Sequence, residues 1–215
     1  NNYGTWQAYN NRYWPAHYLI DTEGNIREYH FGEGNYKETE QAIQSLLEEA
    51  GRKASTDTLG IVGDAPGRGQ TSETYLGSSR MERFLSPERV TGEAQMFTAP
   101  VTFKEDSFAY TGTWKVESER AIAGSDTILA LRFKGKKVFL VMAPPDNASS
   151  GSVKVFLDQN LITKELSGKD VIDGKVLVDA DRLYELFDGK GMSGEHTLRL
   201  EFETPGTAAY AFTFS

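Results

Sequence analysis

Beyond Gln95, hydrophobic side chains return at every second position. Phe108, Tyr110, Trp114 and Val116 share one parity, then Leu129, Leu131 and Phe133, then Val153, Val155 and Leu157. Further on, His196, Leu198, Leu200 and Phe202 alternate with Thr197, Arg199, Glu201 and Glu203, and the chain closes on Ala208, Tyr210, Phe212 and Phe214. A period of two marks strands with one packed face and one wet face. Residues 138–142 are apolar on both parities, which predicts a central strand. Turn clusters at Gly124-Ser125-Asp126, Lys134-Gly135-Lys136, Asp158-Gln159-Asn160, Asp188-Gly189 and Thr204-Pro205-Gly206 separate these strands at spacings that suit an antiparallel sandwich. The alternation puts Tyr110, Trp114 and Tyr210 in its core. One segment departs from it: Leu183, Tyr184 and Phe187 fall three and four apart and predict a short helical turn over 181–187.

The first 51 residues follow another order. Pro15 stands immediately before the apolar run His17-Tyr18-Leu19-Ile20, and a proline, lacking an N–H for the ladder, belongs at the start of a strand. The Trp14-Pro15 bond, an aromatic followed by proline, is a natural cis candidate. Thr22-Glu23-Gly24-Asn25 is a turn cluster, and residues 26–31 form the returning strand of a β-hairpin. A helix comes next: Asn35 is placed to cap it, Glu38 occupies the capping-box position, and Tyr36, Ile43, Leu46, Leu47 and Ala50 recur at helical spacing until Gly51. Two strands and one helix cannot bury enough surface to stand alone, since even a complete domain of ~60 residues is marginal. Residues 52–93, rich in Gly, Ser, Thr and Arg, read as a long ordered connector whose apolar side chains dock on a neighbour.

The composition is that of a globular protein, with 39% hydrophobic and 25% charged residues and no apolar run long enough for a membrane span. A formal charge of −8 and an isoelectric point near 5.0 disfavour nucleic acid and anionic membranes as partners. The chain contains no cysteine. With His17, His30 and His196 scattered, a zinc site is not expected. Asp170, Asp173, Asp179 and Asp181 surround Gly174 without the spacing of a calcium loop and read as a solvated turn. No nucleophile elbow, phosphate loop or dinucleotide fingerprint is present.

The wording Trp14-Pro15-Ala16-His17-Tyr18-Leu19-Ile20-Asp21-Thr22-Glu23-Gly24, followed by His30-Phe31-Gly32-Glu33-Gly34, resembles the second half of a thioredoxin-like domain. It is most similar to the C-terminal region of the DipZ-type thiol-disulfide oxidoreductases. The resemblance covers residues 1–51 and continues more loosely through Glu73-Thr74-Tyr75-Leu76-Gly77, Gly112-Thr113-Trp114, Leu140-Val141-Met142, Arg182-Leu183-Tyr184 and the closing strand. It implies an α+β protein: a partial thioredoxin-like ββα unit over 1–51, the connector over 52–93, and an antiparallel β-sandwich over 94–215 with jelly-roll, carbohydrate-binding-module-like outline. It also implies that Trp14 and Pro15 form the loop that faces a redox disulfide and its partner, in a bacterial parent that is periplasmic or otherwise extracytoplasmic. The family carries its Cys-x-x-Cys on the first helix of the thioredoxin half, and this chain has none. The expectation is a redox-inactive piece of an active parent, with no catalytic residue, cofactor or metal of its own.

Three functions stay open at this point. The chain is the C-terminal portion of an oxidoreductase acting on thiol and disulfide proteins, or its sandwich holds a glycan, or the sandwich positions or dimerises the redox domain. Tyr75 and Tyr184 lie outside the clean alternation and are the aromatics placed to stack on a sugar. Whichever holds, the open face of residues 1–51 needs a cover: the missing thioredoxin half, the rest of the chain, or a second copy of it.

Overall fold

The computed structural model describes residues 4–11, 15–31, 35–53, 70–191 and 194–215. They divide into two compact units, Asn1–Pro66 and Gly67–Ser215.

In the first unit a short helix α1 (Gly4–Ala8) precedes an antiparallel hairpin, β1 (Ala16–Ile20) and β2 (Ile26–Phe31), and the helix α2 (Tyr36–Glu49). The hairpin turn is held by Asp21, whose Oδ1 accepts the backbone N–H groups of Glu23 (3.0 Å) and Asn25 (2.9 Å). Asn35 sits at the N-cap of α2 but at φ 55° and without a side-chain capping bond, so the expected capping box does not form. The C-terminus is as the sequence predicts. Gly51, at φ 68°, donates to Glu48 O and Arg52 donates to Leu47 O (both 2.9 Å), closing the helix in a left-handed turn. Arg27 of β2 ties the sheet to the helix by paired bonds to Glu49 at 2.7 and 3.2 Å. No described residue of 4–53 is fully buried.

The second unit is a β-sandwich of thirteen strands, containing the whole buried core found among the described residues. In chain order they are β3 (Thr74–Tyr75), β4 (Ala94–Phe97), β5 (Ser107–Val116), β6 (Ala121–Ala123), β7 (Thr127–Lys134), β8 (Lys137–Ala143), β9 (Gly151–Leu157), β10 (Asn160–Leu161), β11 (Val171–Ile172), β12 (Lys175–Val178), β13 (Arg182–Asp188), β14 (Glu195–Phe202) and β15 (Ala208–Phe214). One sheet runs β11-β12-β9-β14-β7-β5 with β10 on β9. The other runs β5-β6-β15-β8-β13 with β4 on β5 and β3 on β15. The strand β5 belongs to both: residues 107–111 pair with β7, and residues 112–116 pair with β4 and β6. Its corner is Gly112, at φ 85°, where an added Cβ would lie 2.1 Å from Asp126 O. Only glycine turns the strand there.

Aromatic rings fill the space between the sheets. Trp114 is fully buried, stacked on Tyr110 at 4.8 Å and edge-on to Phe202 of the facing sheet at 5.1 Å, and Phe133 meets Phe187 across the core at 5.5 Å. The strand β8 lies between β15 and β13, in the central position expected of residues 138–142.

Two expectations are corrected. Residues 182–188 are strand, not helix: β13 pairs with β8, and a bulge between Glu185 and Phe187 lets Tyr184 and Phe187, three apart, both reach the core, while Leu183 is exposed. Tyr210 is only half-buried, because a register shift between Ala209 and Phe212 breaks the alternation and leaves Tyr210 within reach of Arg120 at 3.5 Å. The apolar side chains of the expected connector dock over residues 70–93, on the sandwich: β3 pairs with β15, Leu76 is fully buried, and Phe84 packs on Phe97, Phe108 and Tyr110. Residues 54–69 lie outside the described residues.

Candidate functional site

Trp14, and with it the geometry of the Trp14-Pro15 bond, lies outside the described residues. Pro15 is half-buried and opens directly onto β1. The hairpin that follows has two chemically different faces. On one, Tyr18 meets Phe31 at 5.9 Å and Tyr9 at 4.8 Å, and Tyr29 meets Phe31 at 5.2 Å, with Tyr29 and Phe31 still 63% and 36% exposed. On the other, His17 and His30 stand directly opposite each other. Two aromatic residues this exposed on a short strand are unusual unless something else covers them.

The sandwich carries a second candidate around Tyr75. Thr74 points inward from β3 and is buried, so its neighbours Glu73 and Tyr75 share the opposite side. The Tyr75 hydroxyl donates to Glu73 Oε2 at 2.5 Å, and the Arg80 guanidinium lies 3.4 Å from the centre of the Tyr75 ring. Burial, reinforced by the Glu73 carboxylate, pushes the Tyr75 phenol upward, so it serves as an un-ionised donor. The chain doubles back at Gly77, where a Cβ would fall 2.3 Å from the backbone of Glu119. Ser78 then donates to Glu117 O and Ser79 to Ser118 O. That reversal brings Arg80 over Tyr75 and leaves an open hollow of about 300 Å3 lined by Glu73, Tyr75, Ser79, Arg80, Glu82 and Arg83. The sequence singled out Tyr75 alone. The Glu-x-Tyr spacing was a signal for the Glu73 bond, whereas Arg80 reaches the ring only through the reversal at Gly77.

Tyr184 is not a surface platform. It is fully buried; its Oη accepts the N–H groups of Asp179 (3.0 Å) and Ala180 (3.1 Å) and donates to Ala180 O (2.8 Å), which holds the turn before β13. Asp170 is structural as well. Its Oδ1 takes Arg182 Nη1 and its Oδ2 the Glu185 N–H, both at 2.8 Å, fastening the preceding loop to β13. Among the described residues no three His, Asp or Glu side chains gather as a metal cluster, and no helix is long and apolar enough to cross a membrane.

The family described as "Thioredoxin like C-terminal domain" matches residues 71–215. The chain belongs to that family. Its curated relatives include Protein DipZ of Mycobacterium bovis and Protein DipZ of Mycobacterium tuberculosis, each 31% identical over 201 residues and 89% of this chain. The chain spans 28% of the length of these relatives. Among solved structures, a family two carbohydrate esterase active-site mutant from Clostridium thermocellum aligns with 51% of this chain and 31% of its own at 17% identity and a TM-score of 0.40. A family two carbohydrate esterase from Cellvibrio japonicus aligns with 65% of this chain and 31% of its own at 13% identity and a TM-score of 0.36. Likeness at that level carries no inference about either protein's chemistry. The match to the "Thioredoxin like C-terminal domain" begins at residue 71, which agrees with the packing of residues 70–93 into the sandwich.

Proposed function

We propose that this chain is the C-terminal part of an extracytoplasmic thiol-disulfide oxidoreductase, in which residues 1–51 complete a thioredoxin-like redox domain and the sandwich is an accessory domain of the same protein. One observation carries the reading. The ββα unit buries no described side chain fully, and it leaves Ile26, Tyr29 and Phe31 exposed beside a strand opened by Pro15. A segment upstream supplies the missing half and, on its first helix, the Cys-x-x-Cys. Pro15 and Trp14 then border the groove in which a substrate disulfide meets the attacking thiolate. Thiolate attack on a disulfide sulfur passes through a mixed disulfide that the second cysteine resolves, so two cysteines suffice and no cofactor is needed. This chain supplies the groove wall but no thiol. The parent acts on thiol and disulfide proteins in the periplasm or an equivalent space, where disulfides persist.

Amide hydrogen exchange over residues 15–51 tests the completion step. The expected result is exchange over 15–51 that slows markedly when the native upstream segment is included, with 71–215 unchanged. Equal exchange in both proteins would sink the proposal. Light scattering at dilution identifies the competing case, a second copy of the chain covering the same face.

The hollow at Tyr75 supports a second reading for the sandwich alone. Two carboxylates and two guanidinium groups give its lining no net charge, so it disfavours strongly charged ligands. A lining that holds both carboxylate acceptors and guanidinium donors suits the hydroxyls of a sugar, each of which both gives and takes a hydrogen bond. Binding on a glycan array, lost in Tyr75→Phe and Arg80→Gln, is the expected result. An array that is blank for the wild-type chain removes this reading and leaves the redox proposal untouched.

A further inference from the structure

His17 and His30 are register partners on β1 and β2 and project from the same face of the hairpin, with ring centroids 6.5 Å apart and ring planes inclined by 40°. Side chains directly opposite in an antiparallel pair start from Cβ atoms about 4.5–5.5 Å apart, close enough for two imidazoles to converge on one point. We propose that this cross-strand pair is a binding site for a late first-row divalent cation, of the zinc(II), nickel(II) and copper(II) class, held by two imidazoles with water completing its shell.

The chemistry selects that class. Imidazole nitrogen suits zinc, nickel and copper, whereas calcium and magnesium demand oxygen ligands. Metal–nitrogen bonds of about 2.0–2.1 Å bring two chelating ring centres to roughly 5–6 Å, close to the 6.5 Å at which these rings stand. The turn is pinned by two bonds to Asp21, and Arg27 braces β2 against α2 through Glu49. Both imidazoles are half-buried, which reduces the water shell a cation must displace. Glu28 occupies the same face one diagonal step away, but in this arrangement it does not complete a three-ligand cluster. The site is therefore a two-histidine chelate. The inference is independent of the redox proposal, because it uses only residues of this hairpin.

The chain suits a clean test, since it contains three histidines and no cysteine. Zinc chloride titrated into the full chain at pH 7.5 should bind at one equivalent. Two-dimensional NMR of the wild-type protein should show the imidazole signals of His17 and His30 shifting together while those of His196 stay in place. His17→Gln and His30→Gln should each weaken binding by no less than the roughly 10–100-fold that loss of even an outer-shell partner costs. His196→Gln should bind as the wild type does. Shifts confined to His196, undiminished binding by the His17→Gln/His30→Gln double variant, or no one-equivalent binding by the wild-type chain would each overturn the site. The wild-type NMR result decides the matter even if a variant hairpin fails to fold.

Discussion

Replacing Gly112 with alanine tests the corner on which the sandwich turns. Gly112 is the residue at which β5 leaves one sheet and joins the other, and two separate costs meet there. A left-handed backbone at φ 85° costs an L-residue roughly 1–2 kcal/mol. The new Cβ would also lie 2.1 Å from Asp126 O and 2.7 Å from its carbonyl carbon, both backbone atoms that cannot swing aside as a side chain could. Overpacking of this kind adds about 1–3 kcal/mol. The sum, roughly 2–5 kcal/mol, is a large share of the ~5–15 kcal/mol that holds a typical domain together. At about 2–4 °C per kcal/mol for a domain of this size, the melting temperature of the sandwich should fall by roughly 4–20 °C. Gly92 provides the control. Its φ is also 85°, but nothing lies within 4 Å of the added Cβ, so Gly92→Ala carries the backbone cost alone. Chemical denaturation followed by near-ultraviolet circular dichroism compares the two. If Gly112→Ala is no less stable than Gly92→Ala, the close approach at the corner is not a constraint, and the account of how one strand serves both sheets is wrong.

Two further outcomes follow from the core and the charged face. Trp114→Ala should cost about 3–5 kcal/mol by removing the ring that stacks on Tyr110 and abuts Phe202, and thermal melts that leave the midpoint unchanged would refute its burial. Glu203 is held down to about 2 from an ordinary 4.5, first by the Lys154 ammonium and then by Ser152 and Lys175. A carboxyl lowered in the fold adds stability above its ordinary value and loses it as pH falls toward the folded value, so melting temperature should decline between about pH 5 and 2. Glu203→Gln should flatten that decline, and an unchanged slope would rule out the assignment.

Much of the sandwich was legible because one-sided burial writes itself into a sequence as alternation. Phe108, Tyr110, Trp114, Leu129, Leu131 and Phe133 are all buried on the parities they show. The failures trace to bulges. An extra residue in β13 turned a strand into an apparent helical turn, and another irregularity in β15 moved Tyr210 off the core. Segment 70–93 was legible as docking but not as strand: its strand is two residues long and its core contacts, Leu76 and Phe84, sit in irregular backbone that leaves no period to read. The Tyr75 hollow was half visible. Glu73 is two residues away in sequence, but Arg80 arrives only because Gly77 lets the chain fold back over the 117–120 turn.

The most direct test of the central claim is insulin-disulfide reduction by two proteins: this chain, and the same chain extended upstream through the native Cys-x-x-Cys. The account predicts turnover by the extended protein that disappears when either cysteine becomes serine, and no turnover above buffer by the cysteine-free chain, since the attacking group is a thiolate. Reduction by the cysteine-free chain, or an extended protein that folds and still does nothing, would contradict it.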